Sequence, residues 1–166
     1  MKKGQIQQVF IYIITIIVVG LILLIGYRSI GGLMKKGCDV EMTSFKSSLE
    51  SYISKYDSYG DLHKESIKVP CSYREICFIN TDAINNGENL DGDIDLIIKD
   101  SVSAKIQENV FLVKTDAVEP FGTFFPEIKV DNTARYVCME NMGGRFYIKF
   151  HGLGKQVNIS SYSPEI

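Results

Sequence analysis

The sequence holds no G-x-S-x-G, and no serine or cysteine stands in a nucleophile-elbow context. No C-x-x-C pair is present. The two histidines, His63 and His151, stand far from any close cysteine pair, which removes the usual zinc spacings. Gly143-Gly144 and Gly152-x-Gly154 come nearest to a phosphate loop, but neither joins a strand to a helix N-terminus. No acid–base or nucleophile pair can be assembled, so the sequence points away from an enzyme and suggests no cofactor. There is no internal repeat and no low-complexity tract. Acidic residues are missing from the first 36 positions, and no charge of either sign occurs from Val9 to Gly26.

That last absence organises the chain. Residues 9–26 are eighteen positions rich in Val, Ile and Leu. At about 1.5 Å each they make roughly 27 Å of helix, close to the hydrocarbon thickness of a bilayer. Apolar side chains go all the way round, so no face suits water. A transmembrane helix is the expectation. The alternatives are a buried core helix and a cleaved secretory signal. The first conflicts with the length of the run. The second conflicts with Arg28, which stands where small residues would be wanted.

Charge is split along the chain. Lys2, Lys3, Arg28, Lys35 and Lys36 flank the apolar run, where anionic headgroups would attract them. From Gly37 onward 13 Lys and Arg stand against 20 Asp and Glu. An acidic domain with no basic stripe in its sequence is a poor nucleic-acid binder. Basic residues on both sides of the span leave orientation nearly balanced. Cys38, Cys71, Cys77 and Cys138 all follow the span, and an even count in a small domain fits an oxidising, external compartment. The expectation is a cytoplasmic N-terminus and an extracellular domain.

Two regions follow: 1–36 as basic N-terminus, span and Gly-rich joint, and 37–166 as one α+β domain. Gly31, Gly32 and Gly37 are expected to loosen or kink the helix. Residues 39–59 read as an amphipathic helix, with Met42, Phe45, Leu49, Tyr52, Ile53 and Tyr56 at spacings of three and four. Residues 66–80 read as two short strands split at Pro70, and 80–95 as a polar loop. A second helix is expected from Asp91 or Asp93 to about Lys105, with Ile94, Ile98, Val102 and Ile106 in an i, i+4 row and Ile97 beside it. Strands are expected at 110–114, 127–131, 135–140, 145–151 and 155–160. The 135–140 and 145–151 runs make a hairpin through Gly143-Gly144, and Phe146, Ile148 and Phe150 share one face. The two helices should pack on an antiparallel sheet of five to seven strands.

Asp91, Asp93 and Asp95 form a D-x-D-x-D that could converge on calcium, or simply open a helix; the EF-hand pattern fails at Leu96 and Val102. Asn158-Ile159-Ser160 fits the N-glycosylation sequon. Phe121, Phe124 and Phe125 cluster locally, either packed over the sheet or exposed as an adhesive patch.

The cysteines can be paired by path length. A helix of roughly 20 residues rises about 30 Å, and an extended return over 61–70 covers a similar distance. That brings Cys71 back to Cys38. Cys77 and Cys138 each sit mid-strand between apolar neighbours and can meet across strands or between layers. The expected bonds are Cys38–Cys71 and Cys77–Cys138.

Lys2-Lys3-Gly4-Gln5 followed by a long apolar run resembles the class III signal of archaeal type IV pilin-like proteins. The resemblance implies cutting between Gly4 and Gln5 by a prepilin peptidase, with Lys3, Gly4 and Gln5 as the processing site. It also implies a helix that anchors the subunit and can pack into a filament core, followed by a pilin-like head. Pilin families usually carry a glutamate five residues into the mature helix, and Val9 stands there. Segments 75–80 and 137–139 are similar to those of uncharacterised membrane-anchored archaeal envelope proteins. Together these imply a cell-surface structural subunit, with membrane lipids, like subunits and the peptidase as partners. The alternative is a monomeric anchored module binding sugar or calcium through Asp91, Asp93, Asp95 and the phenylalanine cluster.

Overall fold

A computed structural model describes residues 4–115 and 117–164, with the backbone alone at 4–8 and 29–36. The chain divides into two units, Met1–Val40 and Glu41–Ile166. Helix α1, Gly4–Lys55, begins in the first and ends in the second. It is helical through Gly31, Gly32 and Gly37. Glycine lowers helix propensity by about 1 kcal/mol without forbidding the helix, so these residues do not end it.

The second unit is α+β. After α1 come β1 (Leu62–Lys68), β2 (Glu75–Ile79), α2 (Thr81–Asn86), α3 (Leu96–Ser103), β3 (Val110–Val113) and β4 (Val118–Pro120). The chain continues through β5 (Ile128–Lys129), β6 (Tyr136–Glu140), β7 (Arg145–Gly152) and β8 (Val157–Ser161). Among the described residues the strands form two four-stranded sheets rather than one. Sheet A has the order β1-β7-β8-β5 and sheet B the order β4-β3-β2-β6. The β5 and β8 strands run parallel, so the sheets are not purely antiparallel.

Each sheet contributes one face to a shared core. The row on α1 expected from spacing is buried there: Phe45, Leu49, Ile53 and Tyr56 are sealed, and Met42 and Tyr52 pack against them. Phe45 meets Phe121 and Phe146 edge-on at about 6 Å. Phe146, Ile148 and Phe150 of β7 point into this core, and Ile76, Phe78, Leu112 and Met139 of sheet B enter from the other side. The opposite face of sheet B is covered by α2 and α3 through Cys77, Ile79, Phe111, Ile84, Ile98 and Val102.

Several expectations are corrected. Residues 80–95 contain α2, with Asn80 Oδ1 accepting from the Asp82 N–H and Gly87 at φ 66° closing the helix. Helix α3 starts later than expected: Asp95, not Asp91 or Asp93, is its N-cap, and its Oδ1 accepts from the Ile97 N–H. It ends at Ser103, short of Ile106; Ile106 and Ile97 are exposed while Ile94, Ile98 and Val102 are buried. Gly143 and Gly144 do form a tight turn with positive φ, closed by hydrogen bonds between Met142 and Arg145. The strands then separate: β6 pairs β2 in sheet B, and β7 pairs β1 and β8 in sheet A. The turn is therefore a corner between sheets, not a hairpin within one.

Where α1 gives way to β1, Gly152 lies against the backbone of residue 58. A Cβ there would sit 1.9 Å from the Ser58 carbonyl oxygen. Backbone bonds from Gly60 to Gly152 and from Gly152 to Asp61 close this junction. At the other end of the head, Glu41 accepts from Lys68 Nζ at 2.8 Å and from the Cys71 N–H at 3.0 Å. The Lys68 contact, helped by that N–H, holds the Glu41 carboxyl below its ordinary value.

Candidate functional site

The N-terminal feature is the stretch Val9–Arg28 of α1, long and apolar enough to cross a bilayer. None of it is buried, and its large side chains run from 45% exposed at Ile14 to 86% at Tyr27. A core helix would be sealed, so that alternative is removed. Lys3 lies outside the described residues. Gly4 and Gln5 are the first residues of α1.

Cys77 and Cys138 are bonded, as their register requires: they face one another directly across β2 and β6, with Cα atoms 4.0 Å apart. Cys38 and Cys71 are the two that remain, and both are also in disulfide linkage.

A cleft of about 420 Å³ lies beside the Cys77–Cys138 bond, between sheet B and α3. Glu75, Glu140, Asp93 and Asp95 line it with Arg74. Strand pairing sets Glu75 opposite Glu140. Burial pushes the Glu75 carboxyl above its ordinary value; Arg74 pulls it back and Glu140 adds to the rise. Asp93 and Asp95 reach this cleft, whereas Asp91 is not among its lining residues. Among the described residues, the one close group with metal-ligand atoms is Glu75, Cys77 and Cys138. Two of its three members are the disulfide, so it is not a metal centre.

The other candidates are placed elsewhere. Phe121 and Phe125 are core residues and Phe124 is half-buried, so no exposed aromatic patch exists there. Asn158 lies inside β8, flanked by β5 and β7, and its Oδ1 accepts from the Asp131 N–H at 3.1 Å. A glycan acceptor is expected on an accessible loop, and this position is a half-buried central strand. His63 stacks on Tyr56 at 4.0 Å on the inner side of sheet A, while His151 faces outward. They cannot cooperate.

Three polar groupings were not visible in the sequence. Tyr56 Oη donates to Glu65 Oε1 at 2.6 Å, and this bond, with burial, pushes the Tyr56 phenol up to about 12. Asn109, fully buried, donates to the Phe125 carbonyl at 2.6 Å and to Thr81 Oγ1, and accepts from the Phe125 N–H. Every bond of this group is made within the fold, as expected for a structural network rather than a reactive one. Lys114 and Tyr73 both donate to Glu119, which fixes β4 against β3. The Lys114 bond, then the Tyr73 bond, hold the Glu119 carboxyl low. Local sequence gives no sign of these partners, because each pair is assembled by strand or loop placement.

No protein-family model, curated protein or solved structure matches this chain.

Proposed function

We propose that the chain is a single-pass, membrane-anchored cell-surface structural protein, a pilin-like subunit with its N-terminus in the cytoplasm and its disulfide-bonded head outside. One observation carries the reading: an uncharged helical stretch, wholly exposed, precedes a head in which no cysteine is free. Apolar surface of that size needs lipid or like helices around it. Disulfides persist in oxidising compartments. The head supports a structural role through its two-sheet core and internally satisfied buried polar groups. In this reading Lys3, Gly4 and Gln5 are the processing site, and like subunits are the partners.

Intact mass after expression in a host with a prepilin peptidase tests the pilin-like part. Loss of residues 1–4 is expected, and Gly4→Leu should block it. A mature protein that keeps Lys2 and Lys3 would remove that part. The alternative, an anchored binding module, loses its aromatic half because Phe121 and Phe125 are buried.

A further inference from the structure

The head carries more acid than base, yet the outward positions within the strands of sheet A carry none. Ile67, Phe146, Ile148, Phe150, Val157 and Ile159 are buried, so the alternate positions on β1, β7 and β8 face outward from sheet A. Those positions gather the cations. Lys64 stands opposite Lys149, Lys68 opposite Arg145, and Lys129 of β5 completes the group. No Asp or Glu occupies an outward position within these four strands, although Glu127 and Asp131 stand on either side of Lys129 just beyond β5. Lys68 is held by Glu41, but among the described residues Lys64, Lys129, Arg145 and Lys149 make no ion pair. Like charges directly opposite each other repel, so an isolated head bears this arrangement at a cost.

The opposite charge gathers beside sheet B. Sheets A and B share a core through their inner faces, and at the β6 edge Glu140 and Tyr147 line one pocket of about 190 Å³. The cleft between sheet B and α3 presents Glu75, Glu140, Asp93 and Asp95 against Arg74. Among the described residues none of these carboxylates makes an ion pair. We propose that the basic outer face of sheet A docks on the acidic rim of the cleft between sheet B and α3 in a second copy of this chain. Both surfaces gain the counter-charge they lack, and complementary potentials fix orientation. Because donor and acceptor are different surfaces of one head, the contact is heterologous. Each head carries one of each surface, so the contact can repeat from copy to copy. This inference goes beyond the anchored-subunit reading and does not depend on it.

The test is sedimentation velocity of the full chain in non-ionic detergent, at about 20 mM and about 500 mM salt, on either side of strong screening. The expected result is a ladder of oligomers at low salt, with affinity falling at least about tenfold at high salt. Lys64→Gln with Lys149→Gln should give single heads, and so should Asp93→Asn with Glu140→Gln, all melting as the parent does. An equimolar mixture of the two variants should stop at dimers, because each pair retains one intact contact. Oligomers that ignore salt, or that persist in both variants, would overturn the proposal while leaving the anchored subunit standing, since apolar helix packing is not screened. A wild-type protein that stays single at low salt and binds dextran sulfate through Lys64 and Lys149 would assign the face to a foreign polyanion and likewise overturn it.

Discussion

Removing the Cys77–Cys138 bridge, by Cys77→Ala together with Cys138→Ala, is a perturbation whose size follows from the fold. The bond spans a sequence separation of 61 and holds β2 to β6 in register. Elements α2, α3 and β3 to β5 all lie inside the loop it closes. Cross-linking a loop of that length removes about 4 kcal/mol of chain entropy from the unfolded state. Domain stabilities run from about 5 to 15 kcal/mol, so the loss is a large share of the total. For a head of about 125 residues, unfolding entropy near 2.1 cal/mol/K per residue turns that loss into a fall of roughly 15 °C in melting temperature. Cys77 is almost fully buried, and alanine leaves neither a large void nor an unpaired hydroxyl in its place. Circular dichroism melting of the full chain in detergent, with Cys38 and Cys71 intact, is the assay. A fall of less than about 4 °C would refute the reasoning, since the loop would then be held closed by packing alone.

Two further outcomes follow. Spectrophotometric titration should find one tyrosine ionising near pH 12, and Glu65→Ala should bring it back towards 10. Because the folded value is the higher one, this stabilisation is complete below about pH 10 and is lost as pH rises towards 12; an unchanged titration in Glu65→Ala would contradict the assigned partner. Asn109→Ala strands the buried Phe125 N–H and should cost about 2–3 kcal/mol in urea unfolding; a loss under about 0.5 kcal/mol would show the network to be redundant.

The periodic parts of this fold were legible because periodicity records burial directly. Phe45, Leu49 and Ile53 on α1 and Phe146, Ile148 and Phe150 on β7 face the core that their spacing implied. The pairing of Cys77 with Cys138 also followed from two mid-strand positions with apolar neighbours. What was missed depended on partners distant in sequence. The residues at Gly143-Gly144 specify a tight turn, but which sheet each flanking strand joins is decided by β2 and β1. Helix α2 had its signals in Asn80, Asp82 and Gly87. Its six residues are too few for a helical period to stand out from the polar residues around it. The carboxylate cleft and the basic face were illegible for the same reason as each other. Glu75 meets Glu140, and Lys64 meets Lys149, only once strands are registered. Counting charges along the chain finds an acidic domain and cannot find a basic side of it.

Protease added to intact cells tests the central claim most directly. A tag fused after Ile166 reports the fate of the head, and lysed cells provide the control. An anchored external head predicts that the tag is lost from intact cells while the apolar segment stays with the membrane. Protection of the tag in intact cells, with loss only after lysis, would place the head inside the cell and contradict the account.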